Sequence, residues 1–141
     1  MAGRITERGL QRIGVQASQA TAGAGPTYSA TRHLQVMSLD DGTGALAAAH
    51  DDASDPGAIT NFFDKVFDTA PTRSGQVITH VTTYATTEGN FVIRKILIHD
   101  DTVANVNSTS ATLVGGVDQQ SITGTADFTK QFTITITYSN V

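Results

Sequence analysis

The chain has no cysteine and no tryptophan, and only two of its acidic residues, Glu7 and Glu88, are glutamates. Without cysteine there is no disulfide framework, no thiol nucleophile and no thiolate metal site. The same absence fits synthesis in a reducing compartment. Charged residues make up only 16% of the 141, and the formal net charge is −4. No basic run exists to build the concentrated positive patch that nucleic-acid binding needs, so no nucleic-acid partner is expected. No apolar run approaches the roughly 20 residues that span a bilayer, so no membrane partner is expected either. Met1 to Gly9 is polar and lacks an apolar signal-peptide core. The expectation is a soluble chain made in the cytoplasm.

Thr, Ser, Gly and Ala fill the place of the missing charge. The clearest pattern is the stretch from Asp127 to Asn140. Phe128, Phe132, Ile134, Ile136 and Tyr138 share one parity, interrupted by Lys130, and Thr129, Thr133, Thr135 and Thr137 share the other. A period of two places apolar side chains on one face of a strand and threonines on the opposite face. Threonine is β-branched, so the wettable face also favours extended backbone.

The remainder reads as one helix followed by about six strands. Ile5 to Gln19 is the helix candidate, with Thr6 as its N-cap and Ile5, Leu10 and Ile13 on one face. Gly9 and Gly14 weaken it by about 1 kcal/mol each. Ala20 to Pro26 reads as a linker, which divides the chain into an N-terminal helix and flexible arm (1–26) and a β core (27–141). Ser29 to Leu39 reads as a strand closed by Asp40-Asp41-Gly42, and Leu46 to Ala58 as a loop or frayed helix. Thr60 to Phe67 fits strand or helical spacing, and strand is preferred. Gln76 to Ala85 and Phe91 to His99 are strands joined by a turn at Glu88-Gly89-Asn90, which predicts a hairpin. A phase slip at Arg94-Lys95 predicts a bulge, or burial on both faces beyond it. Ala111 to Val117 is a short strand that Gly115-Gly116 allows to bend. The predicted fold is mainly β, an antiparallel sandwich or barrel with one short N-terminal helix or arm.

Candidate chemistry is sparse. His33, His50, His80 and His99 form none of the paired spacings that bind metal, although the predicted hairpin would bring His80 and His99 near each other. Asp40-Asp41, Asp51-Asp52 and Asp100-Asp101 read as strand-ending turns, since Asp bonds nearby backbone amides. DDGTG lacks the spacing of a calcium loop. No nucleophile elbow, P-loop or dinucleotide fingerprint is present. Arg94-Lys95 reads as edge-strand charge that deters unwanted pairing. No catalytic residue, metal site or cofactor is expected. A sugar-binding platform would need exposed aromatics, and the tyrosines here are only Tyr28, Tyr84 and Tyr138.

Four segments, ITERGLQRI, HLQVMSLDDGTGAL, EGNFVIRKILIHDD and SITGTADFTKQFTITITYSN, occur in an order that resembles the N-terminal domains of tailed-phage collar and tail-fibre proteins. Ile93, Arg94, Ile96, Ile98 and Asp100 carry the match in the third segment. The resemblance implies a structural protein of the virion, made in the host cytoplasm. The chain ends where a fibre would continue into a shaft, so a stand-alone component is expected. A capsid decoration protein is preferred, with a tail collar, baseplate or fibre-attachment adaptor as the alternative. Its implied partners are the phage major capsid protein or tail and collar proteins, and further copies in a homotrimer or other symmetric homo-oligomer. Arg4, Ile5, Arg8, Leu10, Arg12 and Ile13 in the arm are the expected partner contacts.

Overall fold

The computed structural model describes residues 3–5, 36–47, 59–69, 72–74, 77–100, 113–118 and 120–137. Within them the fold is mainly β, in ten antiparallel strands: β1 (Gly3–Ile5), β2 (Val36–Asp40), β3 (Phe62–Val66), β4 (Thr72–Ser74), β5 (Val77–Tyr84), β6 (Val92–Ile93), β7 (Lys95–His99), β8 (Leu113–Val117), β9 (Ile122–Thr123) and β10 (Lys130–Thr137). They form a five-stranded sheet ordered β1-β8-β7-β2-β3, a three-stranded sheet β10-β5-β4, and the small pair β6-β9. No helix occurs among the described residues.

The core lies between the two larger sheets. Met37, Leu39, Ile96 and Ile98 on the five-stranded sheet join Tyr84 and Ile93, with Phe132, Ile134 and Ile136 of β10 packed against them. Tyr84 bridges the layers. Its ring meets Phe63 and Phe132 edge-on, at centroid distances of 6.0 and 5.9 Å, and its hydroxyl donates to the Met37 carbonyl at 2.7 Å. Burial of the hydroxyl pushes its ionisation well above the ordinary tyrosine range. Tyr84→Phe is therefore expected to cost about 1 kcal/mol, because it removes a buried hydrogen bond between the two sheets. Urea unfolding followed by circular dichroism measures this, and an unchanged midpoint would mean the bond contributes nothing.

The opposite face of the five-stranded sheet is also buried in β2 and β7, both of which are covered along their full length. Leu46 and Ile59 pack there against Leu97 and Leu113. The phase slip at Arg94 marks this change. The strand breaks there into β6 and β7, Arg94 N–H donates to the Asp40 carbonyl at 2.8 Å, and both faces of β7 are then buried.

Several sequence expectations are corrected. Ile5 closes strand β1 instead of opening a helix, and the rest of that segment lies outside the described residues. β5 and β7 do not form a hairpin: β5 pairs with β10 and β4, while β7 pairs with β2 and β8. The intervening β6 pairs with β9, and this carries the chain from one sheet to the other. Gly116 stays in register, while beside Gly115 the β8 ladder skips Val114 between the partners of Ile98 and His99. Gly116 pairs with both Arg4 and Leu97, and a side chain there would strike the Ile96 carbonyl oxygen and the Leu97 backbone. The register shift lies at Ile98/His99. Phe128 precedes the last strand and is 72% exposed, and Tyr138 lies outside the described residues.

Candidate interaction surface

Among the described residues, five side chains that can carry charge are buried: Asp40, His80, Lys95, His99 and Asp100. Lys95 and Asp40 face each other across β7 and β2, with Nζ 3.5 Å from Oδ1 and both side chains at most 1% exposed. Asp40 Oδ1 also accepts the Gly42 N–H at 2.9 Å, the Asx turn read from the sequence. Burial raises the Asp40 carboxyl to about 6 against the pull of Lys95, and burial lowers the Lys95 ammonium against the pull of Asp40. Gly42 lies so close over Lys95 that any side chain there would meet Nζ. The loop is held down at both ends. Asp118 Oδ2 accepts the Leu46 N–H at 2.6 Å, and Asp41 accepts from the backbones of Thr60 and Asn61 at 2.8 and 3.0 Å. A reactive lysine needs a path for its substrate, and this one is fully enclosed.

Arg94-Lys95 is thus not an edge device, since Lys95 lies on a strand flanked on both sides. The two strand histidines are not partners in one hairpin. His80 lies on β5 with its ring 4.9 Å from that of Phe67, and His99 lies on β7 in the other sheet. Burial lowers His80 to about 4 and His99 to about 3, so both rings are neutral at pH 7. Neither nitrogen of His80 has a hydrogen-bond partner among the described residues. Among those residues no three His, Asp or Glu side chains cluster as metal ligands would.

The open feature is a groove of about 580 Å³ where β10 runs over β7 and β8. Ile96, Ile98 and Val117 line one side, and Phe132, Ile134 and Ile136 line the other. The alternation in β10 is as read: these three are half-buried, while Gln131, Thr133, Thr135 and Thr137 are exposed. Lys130 interrupts the apolar row because it anchors the start of the strand, its Nζ donating to Asn90 Oδ1 and the Thr125 carbonyl, each at 2.9 Å. Among the described residues β10 pairs only with β5, in unbroken register from Lys130↔Tyr84 to Thr137↔Val77. Among the described residues its other edge has no strand partner and lies beside an apolar floor, a surface suited to receiving a further strand.

Of the expected contact residues, Arg4 and Ile5 lie in β1, opposite Gly116 and Gly115 of β8. Arg8, Leu10, Arg12 and Ile13 lie outside the described residues. The groove residues were visible in the sequence as alternating strand, but not as an edge, because pairing is set by strands distant in the chain. Compared with protein-family models, curated proteins and solved structures, the chain matches none of them.

Proposed function

We propose that this chain is a structural, non-enzymatic protein of a tailed-phage particle, and that it decorates the capsid by bridging its subunits. The observation that carries this reading is the contrast between interior and surface. Lys95, Asp40, His80 and His99 are all sealed in the core, whereas the long open feature is an uncharged strand edge above an apolar groove. Such a surface gives adhesion through backbone hydrogen bonds and apolar burial and offers no group to a reacting substrate. The two facing sheets are read as a β-sandwich, a rigid body on which the edge is presented. The order of the four phage-like segments supports the virion. The partner is then the major capsid protein, and repetition of a modest contact around the shell supplies the avidity.

Quantitative mass spectrometry of purified particles, scaled to the major capsid protein, tests this. A copy number comparable with the capsid subunit is the expected result. A handful of copies per particle would move the protein to the tail or collar, and its absence from particles would overturn the virion reading.

A further inference from the structure

The occupant of the free edge can be inferred from the edge itself. Soluble proteins protect sheet edges by keeping them short, by charging them or by placing proline in them. The other edges of the two larger sheets follow that practice. β1 and β4 are three residues each, β4 carries Arg73, and β3 carries Asp64 and Lys65 at its centre. β10 has eight residues, and from Gln131 to Thr137 it has no charge, glycine or proline. An edge left unprotected over that length has a partner.

We propose that the partner is a second copy of this chain, with the two β10 strands pairing antiparallel about a two-fold axis to join the three-stranded sheets into one of six. This assignment rests on the structural reading above and specifies its oligomer. The sequence Thr133-Ile134-Thr135-Ile136-Thr137 reads the same in both directions. A two-fold axis normal to the sheet sets one residue opposite itself, so side-chain parity is preserved across it. Centred on Thr135, the axis sets Thr133 against Thr137 of the second copy and Ile134 against its Ile136. Threonine then meets threonine on the outer face and isoleucine meets isoleucine on the inner one, both favourable cross-strand pairs. No like charges are opposed within this stretch, which a charged edge would not allow. The inner row of the second copy continues the apolar layer formed by Phe132, Ile134 and Ile136, beside the β7 and β8 residues that line the groove. A foreign strand would gain the same backbone bonds, but a second copy also brings the same isoleucine and threonine rows into matching register.

Light scattering on the size-separated full chain should give twice the 14.8 kDa of one copy. The double substitution Thr133→Lys, Thr135→Lys sets a lysine opposite its own copy at 135 and another diagonal to it at 133, all on one exposed face, and should weaken the dimer by about tenfold or more. The melting temperature of the variant, read at a concentration where both forms are monomeric, should stay the same, which separates lost pairing from lost folding. Because the chain has no cysteine, Thr135→Cys supplies a unique thiol. It should form a covalent dimer with a short bismaleimide, while Thr72→Cys on the far edge of the same sheet should not. A monomer at all concentrations, a trimer, or a dimer indifferent to the lysines would overturn the proposal, as would a monomer that takes up a foreign peptide along β10. A monomer present at capsid stoichiometry would refute the dimer and keep the virion role; a dimer absent from particles would do the reverse.

Discussion

Lys95→Met is expected to destabilise the protein by about 3–5 kcal/mol, the cost of leaving a buried charge without its partner. The side chain is 0% exposed, and the Asp40 carboxylate 3.5 Å away is almost as deeply buried. Removing the ammonium leaves Asp40 two unfavourable choices, an unpaired charge in the interior or a proton taken up at neutral pH. Burial already raises this carboxyl to about 6 while Lys95 pulls it down, so loss of Lys95 raises it further. The penalty should consequently be smaller at pH 5 than at pH 8, where protonation costs more. Asp40→Asn combined with Lys95→Met removes both charges and keeps an oxygen to accept the Gly42 N–H, and should recover most of the loss. Urea unfolding of the four proteins at both pH values measures the coupling. A single variant no weaker than the double, or a penalty independent of pH, would show that the pair is not coupled as the geometry implies.

The second large effect is acid destabilisation. His80 and His99 are lowered from 6.5 to about 4 and about 3, so between those values and 6.5 the unfolded chain binds two protons that the folded one refuses. Their contribution is complete above pH 6.5 and is lost as pH falls. Asp40 acts in the opposite sense. Its carboxyl is raised from 3.8 to about 6, so in that window the folded state holds a proton that the unfolded state lacks, and stability declines as pH rises through it. Two protons against one leave a net uptake of about one on unfolding near pH 5. At about 1.4 kcal/mol per proton and pH unit, the fall from pH 6.5 to 5 is about 2 kcal/mol. His80→Phe replaces an imidazole whose nitrogens have no partner among the described residues with a ring that suits the neighbouring Phe67. It should nearly flatten the dependence and hold or raise stability at neutral pH. Unfolding free energies measured from pH 5 to 7 decide the matter, and an acid slope that persists in this variant would exclude His80 as its source.

These two expectations depend on residues whose roles were only half legible in the sequence. Alternation identified β10, and β-branched content identified β5, because side-chain parity is local and follows from strand geometry. The phase slip at Arg94 was legible for the same reason. Asp40 is legible as a turn residue and accepts the Gly42 N–H, whereas Asp41 accepts from Thr60 and Asn61 at the far end of the loop, a contact with no local signal. The hairpin expectation failed because neighbouring strands most often pair, and here the short β6 carries the chain across to the other sheet. Lys95 was misread because a lysine within an apolar run is ordinary at an edge, and only the neighbours of a strand decide whether it lies at an edge.

The sequence by itself therefore determined the strand character, the faces of β10 and the turn at Asp40-Asp41-Gly42, since each depends on side chains a few residues apart. Tertiary structure alone decided which strands became edges, that Lys95 met Asp40, and that His80 and His99 were buried in separate sheets. Those outcomes depend on pairings between distant segments, which are fixed by the burial both sheets achieve together and not by any local preference.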